Sequence, residues 1–564
     1  MIRWLKNLIT LQEKRAFHGE TVLMFAVFVG SMRYLLEILL VGFHGFPVDG
    51  NLLLYISWYW LCFFAFGLPV ALLAPPPWQK RINVMLVGLF LGFMPPVVDV
   101  VVSGWGNVIL GRDGFHYAYI TNFPEGWPWL MIAPERRMPV GEGLILWGAV
   151  GFTGTYMWLR TRSVWRTALA LLMSYAVCMF MGAIMPTLLF KLKMEVFPRA
   201  HYTAVLSIGQ TLIALLLYVL VYRRPLARLL AWRMVHAAPL MGVALVGYAW
   251  VLPLDRNVLG PLLAITICAL MTIAQNDHWD DQEEQPDAPE RVTRYDVLFL
   301  TVTWAFVTWS LMFARQQMAA VMLVYGVASY LYNAPLYRGK RYFPANLKLE
   351  GLWGGSAFLL GMLWAVLPTI QEALNDPASP AYQMGTPLAP IAMIHGPDLI
   401  IALLLAFGGW SVLAAMKDEK DVDTDLRLGT QTIFTVLERR GVPRERVSRI
   451  VRGVAALCLL LGAWLPVLAG RMSLAHGAVI TALSLLIVLW RSADLTATFR
   501  RTLALLTAIL VIMALGISAS HAAPDADPAN EATGPRSALD GAAPQHAPSA
   551  ALATRGAQTH LLPR

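Results

Sequence analysis

Residues 259–294 read LGPLLAITICALMTIAQNDHWDDQEEQPDAPERVTR. An apolar run, Leu259–Ala274, passes straight into acid. Asn276, Asp280 and Glu284 are spaced four apart and share one face if the helix continues, and Asp277 and Asp281 form the neighbouring row. Sixteen apolar or small residues ending in such a cluster read as a membrane-embedded helix that delivers oxygen ligands to one surface. Oxygen-rich faces of this kind suit magnesium, a hard cation held by one or two carboxylates together with substrate phosphates and water.

A second stretch repeats the arrangement. Residues 414–432, AAMKDEKDVDTDLRLGTQT, follow the apolar run Leu399–Met416. Asp418, Asp421 and Asp425 keep i, i+3, i+7 spacing and are expected on one helix face, with Asp423 off it and Lys417 and Arg427 on either side. Gly429 is the expected helix stop. Between the two acidic stretches lies a basic one, residues 330–351, YLYNAPLYRGKRYFPANLKLEG. Arg338, Lys340 and Arg341 offer a planar fork and point charges to a diphosphate, and Tyr332 a hydroxyl. Taken singly, an acidic cap after a span or a basic loop is ordinary. Two carboxylate faces and one basic patch at the same end of three spans are not.

The rest of the chain supports the membrane reading. Of 564 residues, 57% are hydrophobic and 14% charged, against about 25% charged in a soluble chain. The mean hydropathy is +0.57. A 19-residue window gives about six spans before residue 236: Glu20–Phe43, Leu52–Leu73, Ile82–Gly104, Glu142–Trp158, Trp165–Phe190 and Thr203–Tyr222. About nine follow: Ala237–Leu254, Leu259–Ala274, Val297–Phe313, Met318–Leu331, Gly351–Leu367, Leu399–Met416, Ile450–Leu468, Ala475–Leu489 and Leu503–Ser518. The expected fold is therefore all-α and polytopic, with about 15 transmembrane helices.

With the N-terminus inside and the spans alternating, about 31 of the 44 Lys and Arg fall on the inner side and about 12 outside, the asymmetry that cytoplasmic loops show. Both acidic clusters are then cytoplasmic, and the expected location is a bacterial inner membrane. Arg3, Lys6, Lys14 and Arg15 read as a cytoplasmic lead-in to an uncleaved signal anchor. Cys62, Cys178, Cys268 and Cys458 lie singly in apolar runs, with no metal or disulfide spacing. No basic stripe outside the loops points to nucleic acid. The Trp105–Val140 loop, with GWPWLMIAPERR, reads as an interfacial aromatic belt on the outer surface. Residues 519–564 are rich in Ala and Pro and too poor in large apolar residues to fold, so a disordered outer tail is expected.

The motifs resemble those of UbiA-type intramembrane prenyltransferases. Asn276-Asp277-x-x-Asp280-x-x-x-Glu284 is similar to the family's first aspartate-rich motif, NDxxDxxxD, with Glu for the last Asp. Lys417-Asp418-x-x-Asp421-x-x-x-Asp425-x-x-x-Gly429 is similar to the second, KDxxDxxGDxxxG, with Thr424 in place of Gly. Tyr332, Pro335, Arg338 and Lys340 resemble the family's intervening Tyr-Pro-Arg-Lys loop, and Arg291 and Arg294 sit about two residues later than its usual arginines. The resemblance covers about half the chain, roughly residues 235–518, and implies a nine-helix bundle with the first motif after helix two and the second after helix six. An N-terminal module of six helices over residues 1–234 precedes it and resembles no known family.

What the resemblance implies is magnesium-dependent transfer of an isoprenoid chain from a prenyl diphosphate to a lipophilic acceptor, aromatic or quinone-like, with a phosphosugar or isoprenoid-lipid acceptor as the alternative. Asp277, Asp280, Asp421 and Asp425 would be the catalytic carboxylates, joined as metal ligands by Glu284 and Asp418. Asn276, Tyr332, Arg338, Lys340, Lys417, Arg291 and Arg294 would bind substrate. Membrane lipids are the other expected partners. The rival from another class is a lipid transporter or binding protein, for which Arg33 and Glu37 within one span, and Asp99, are the sequence support.

Overall fold

A computed structural model describes residues 7, 9–11, 13–14, 19–41, 48–75, 81–103, 140–181, 185, 188, 191, 202–284, 292–314, 316–335, 337–375, 389–490 and 494–522. The interfacial loop, the C-terminal tail beyond Ala522 and the Arg291 position expected above lie outside those residues, as do the side chains of Glu37, Asp99, Asp281 and Glu284. Residues 519–522, expected in the disordered tail, continue the last helix, where Ser520 donates to the Arg471 carbonyl.

The described residues are helical, with no strand among them. The first half contains α1 (Gly19–Val41), α2 (Val48–Leu73), the short α3 (Met85–Phe90) and α4 (Pro95–Ser103), α5 (Val140–Thr161), α6 (Val164–Met179) and α7 (Tyr202–Leu217). The second contains α8 (Arg224–Ala249), α9 (Leu259–Glu284), α10 (Arg294–Ala314), α11 (Gln316–Asn333), α12 (Ala345–Asn375), α13 (Ala389–Asp418), α14 (Val422–Leu428), α15 (Ile433–Arg439), α16 (Arg444–Leu468), α17 (Leu474–Leu489) and α18 (Leu495–Ala522). Among the described residues, nine helices are long and apolar enough to cross a membrane, and three shorter apolar ones accompany them. The chain is an all-α integral membrane protein.

A helix lies at every expected span but one. Ile82–Gly104 is broken into a 3-10 turn, α3, a second 3-10 turn and α4. Pro95 and Pro96 supply no N–H to continue the ladder. A carbonyl released there finds another donor: the Tyr59 hydroxyl donates to Gly92 O at 2.5 Å. The Tyr59 ring lies where a side chain at residue 92 would be, which is why glycine is there. The boundary expected at residues 234 and 235 falls inside α8. Arg33 is fully buried in α1.

Bundle closure in the second half comes from pairwise packing. α12 is the hub, lying against α8, α9, α11 and α13, and α18 returns to pack on α8, the first helix of the set. One apolar core joins these helices. A second is built from α1, α2 and α7 and takes in Ala274 of α9 together with Val292, Phe299 and Leu300 at α10. The first half is thus packed on α9 and α10, the pair that flanks the first acidic cluster.

At the crossing of α8 and α12 the two backbones touch. A Cβ on Gly361 would meet the Ala244 carbonyl, and one on Gly247 the Phe358 carbonyl. Two glycines facing opposite ways let the helices approach without intervening side chains, the device by which membrane helices gain van der Waals contact. Because the atoms in the way are backbone, they cannot rotate aside. Gly361→Ala and Gly247→Ala are each expected to cost about 1–3 kcal/mol as overpacking. A lowered midpoint of thermal aggregation in detergent checks this, with Gly151→Ala, which meets nothing within 4 Å, as the unchanged control.

Candidate active site

The first acidic cluster sits on the last turns of α9. Asp277 is 6% exposed, and both its oxygens are held by Arg233 of α8. Nε donates to Oδ2 at 3.1 Å, and Nη2 lies 2.8 Å from Oδ1. This is the two-pronged geometry in which guanidinium and carboxylate match best. Asp280, one turn on, accepts from Asn276 Nδ2 at 2.7 Å, so the expected shared face is present. Lys340 Nζ also donates to Asp280, and Arg338 Nη2 lies 3.7 Å from it.

The basic loop therefore reaches the first cluster. Arg338 is 6% exposed and has a left-handed backbone, with φ of 45°. A second atom of contact fixes it, since Nη2 donates to Trp279 O at 3.4 Å. The loop also touches the far side of the site: Gln431 N donates to Arg341 O at 2.9 Å. Burial, with the Lys417 and Arg341 charges close by, pushes the Lys340 ammonium down to about 7, against the pull of Asp425 and Asp277.

The second cluster departs from the expected single face. α13 ends at Asp418 and α14 begins at Val422, so Asp418, Asp421 and Asp425 do not lie on one continuous helix. The chain turns through Glu419–Asp421, with Asp421 N donating to Asp418 O at 3.1 Å. Asp421 stands at the N-cap of the new helix but does not cap it with its side chain; its carboxylate accepts from Lys420 Nζ, at 2.9 Å to Oδ2. Tight folding of the turn keeps Asp418, Asp421 and Asp425 together as charges. Lys417 has Glu350, Asp418, Asp421 and Arg233 as charged neighbours. Asp425 bears on Lys340 and, with Asp418 and Glu350, on Tyr332. Asp418 is buried, and its Oδ2 has no hydrogen-bond partner. Gly429 ends α14 as expected, at φ 72°, with Thr430 N donating to Asp425 O at 2.8 Å. Asp423 faces away and pairs with Arg444 at 2.7 Å, which holds its carboxyl below the usual range.

Tyr332 is engaged differently from expectation. Its hydroxyl donates to Oε1 of Glu350, a buried residue of α12, at 2.7 Å. Arg294 is exposed and folds over the ring of its neighbour Tyr295 at 4.8 Å. Three residues that sequence reasoning did not single out belong to this region. Arg233 was readable only as one more basic residue after a span, Glu350 as a charge at the start of an apolar helix, and His278 as a spacer within the motif.

Among the described residues, no three Asp, Glu, His or Cys side chains converge on one point. The donor set still suits a hard divalent cation, which takes one or two carboxylates from each cluster and completes its shell from substrate and water. The buried, unpartnered Oδ2 of Asp418 is an acceptor of the right chemistry.

No family model matches the chain, and no curated protein matches it. Two solved structures are similar to it in part. One is a UbiA homolog from Archaeoglobus fulgidus bound to Cd2+, 15% identical, with a TM-score of 0.36, covering 53% of this chain and 100% of that one. The other is a structure of digeranylgeranylglyceryl phosphate synthase, 13% identical, with a TM-score of 0.34, covering 52% of this chain and 98% of that one. The functional reading rests on the side chains themselves.

Lys340 gives a pH test. A depressed lysine is neutral, and so nucleophilic, above its folded value, and is lost as a nucleophile below it. Pulsed acetylation read by mass spectrometry is expected to label Lys340 with a midpoint near pH 7, with labelling falling as the pH drops. Lys417→Met removes one of the charges that depress it, and is expected to shift the midpoint upward.

Proposed function

We propose that this protein is a magnesium-dependent intramembrane prenyltransferase that moves an isoprenoid chain from a prenyl diphosphate to a lipophilic acceptor, aromatic or quinone-like. One observation carries the reading. Two carboxylate clusters and the cations Arg233, Arg338, Lys340 and Lys417, drawn from α8, α9, the 338–341 loop and α13–α14, gather at one end of an apolar bundle. Directly along α13 from them lies a cavity of about 80 Å³ lined by Trp250, Phe358, Trp410, Leu413 and other apolar residues. Leu413 is one helical turn before Lys417.

Such a pairing of polar head and apolar chamber matches a diphosphate with a hydrocarbon tail. Asp277 and Asp280 would hold metal on one side, and Asp418, Asp421 and Asp425 on the other. Bound magnesium would neutralise the leaving diphosphate and so favour its departure. Arg338, Lys340 and Lys417 would bind diphosphate oxygens, where negative charge grows as the C–O bond breaks. Each of these cations lies among the carboxylates in the folded protein, so binding would exchange one set of anionic partners for another without bringing an unpaired charge into a dry site. Asn276 would orient Asp280. Apolar walls would keep water from the allylic carbon, and Trp250, Phe358 and Trp410, deeper along the bundle, would line the space for the hydrocarbon tail. The acidic end would face the cytoplasm, as the basic loops indicate.

Diphosphate release from a panel of prenyl diphosphates, by detergent-purified protein with a lipid extract as acceptor source, tests this. Release is expected to require magnesium. It should fall at least about 10²-fold in Asp277→Asn and in Asp421→Asn, the scale of losing a group that stabilises transition-state charge. Labelled product would separate an aromatic acceptor from a phosphosugar or isoprenoid-lipid one. Folded protein that releases nothing from any donor would overturn the reading in favour of lipid binding or transport.

A further inference from the structure

Behind the first acidic cluster, on the side away from the cations, a buried carboxylate ties it to the N-terminal half. Asp296, in the first turn of α10, is fully buried. Its Oδ1 accepts from the Tyr218 hydroxyl at 2.8 Å and from Arg223 Nε at 2.9 Å. Its Oδ2 accepts from Arg223 Nη2 at 2.5 Å, from Thr293 N at 2.9 Å and from Thr293 Oγ1 at 2.7 Å. Tyr218 and Arg223 come from the end of α7, where the helix widens into a π turn over Tyr218–Tyr222. Residue 292, next to Thr293, closes the link. The Val292 carbonyl meets His278 Nδ1 at 2.9 Å. A carbonyl can only accept, so Nδ1 carries the proton.

His278 sits between Asp277 and Asp280 in sequence. At about 100° per residue it points away from both, about 100° round α9 from Asp277 and about 160° from Asp280. It is 2% exposed, so it is enclosed by protein. Rotation of the last turns of α9, which decides where Asp277 and Asp280 point, is therefore set partly by His278. His278 is seated by a turn that Asp296 fixes, and Asp296 is held by residues of the N-terminal half. Apolar packing reinforces the same contact. Phe299 of α10 stacks on Tyr218 at 3.9 Å and meets Trp60 edge-on at 4.9 Å.

We infer that the N-terminal helices act as a positioning scaffold for the first acidic cluster, through the chain Arg223 and Tyr218, Asp296, Thr293–Val292, His278. None of these residues touches substrate in this scheme; they orient those that do. The inference gives the N-terminal half a role in the reaction proposed above and rests on that reading for its effect on turnover, but its structural content stands apart from it.

Hydrogen–deuterium exchange on the full chain in detergent reads that content without substrate. Loss of a buried hydrogen bond worth about 1–1.5 kcal/mol corresponds to about tenfold faster local exchange. Peptides over residues 276–284 are expected to exchange about that much faster in Asp296→Asn and in His278→Ala, while α12 and α13 keep wild-type rates. His278→Asn, whose amide can donate from the same position, is expected to restore slow exchange. In the same proteins, half-maximal diphosphate release is expected to need about tenfold more magnesium, the usual size of effect when the partner of a metal-site residue is removed. A merely structural role would lower the folded fraction and leave the magnesium requirement per folded molecule unchanged. Unchanged exchange at 276–284, or an equal rise there and in α12 and α13, would overturn the inference. If Asp296→Asn does not fold, the His278→Ala and His278→Asn pair decides, since it removes and restores a donor to the Val292 carbonyl. Absence of diphosphate release by the wild type would overturn the prenyl-transfer reading, while the exchange result would still decide this one.

Discussion

Charge at the edge of a hydrocarbon bundle has to be paired, and the polar end of this protein is organised by that requirement. Lys417 leaves the last turn of an apolar helix among Glu350, Asp418, Asp421 and Arg233. Remove it and carboxylates from two helices and a turn would face one another with less opposing charge, a costly arrangement wherever water is scarce. Arg233 then reaches on to Asp277, and Lys340 to Asp280. A continuous alternation of sign runs from α13 to α9, so the two acidic clusters are held in one site by the cations between them. A site able to bind metal and polyanion together needs both signs at short range. Here the same residues stabilise the fold and would serve the chemistry.

That arrangement demands a bundle stiff enough to hold helix ends in register. The contact of α8 with α12 through Gly247 and Gly361 fixes the helices that carry Arg233 and Glu350. Glu350 in turn takes the Tyr332 hydroxyl from α11. The Tyr332–Glu350 bond ties α11 to α12 at the charged layer, the glycine crossing ties α8 to α12 deeper in the bundle, and the apolar cavity is lined by α8, α12, α13, α16 and α18. Close packing at the crossing and a cavity beside it are compatible because glycine takes up no room at the first and large rings line the second.

Much of this was legible in the sequence because membrane helices write their own boundaries. Apolar runs long enough to span, ending in acid or base, matched the bounds of α10, α11 and α17 closely, while α8, α9, α12, α13, α16 and α18 extend past the expected spans, and the i, i+4 relation of Asn276 to Asp280 appears as a direct bond. Gly429 was readable as a stop because only a residue free of Cβ strain enters the left-handed region there at low cost. What was not legible is of two kinds. The break after Asp418 hides in a run whose charges fit a helical period equally well, since a three-residue turn followed by a new helix keeps the same residues near one another. Arg233, Glu350 and the Arg223–Asp296 pair depend on contacts between residues far apart in the chain. A basic residue after a span satisfies the charge rule for cytoplasmic loops whether or not it has a partner, so the pattern conceals which arginines are structural.

The two acidic clusters share a further property that follows from those concealed arginines. The first is seated from behind through Arg223 and Asp296. The second is seated by Glu419, the residue after Asp418, whose carboxylate is 2.8 Å from Arg452 of α16, with both side chains buried. Arg452 also donates to Ser448 Oγ at 3.3 Å and to the Ile487 carbonyl at 3.4 Å, so its charge is fully solvated by protein. In each case a buried carboxylate outside the set proposed to hold metal accepts hydrogen bonds from an arginine. Pairs of this kind contribute little net stability compared with apolar packing, but they are strongly disrupted when one partner is lost. Their value lies in direction: a guanidinium held at several points fixes the orientation of a turn far better than packing of flexible aliphatic chains. Clustered carboxylates need that orientation, because their mutual repulsion would otherwise turn them outward toward water. Anchoring the turn beside each cluster in this way resists that turning.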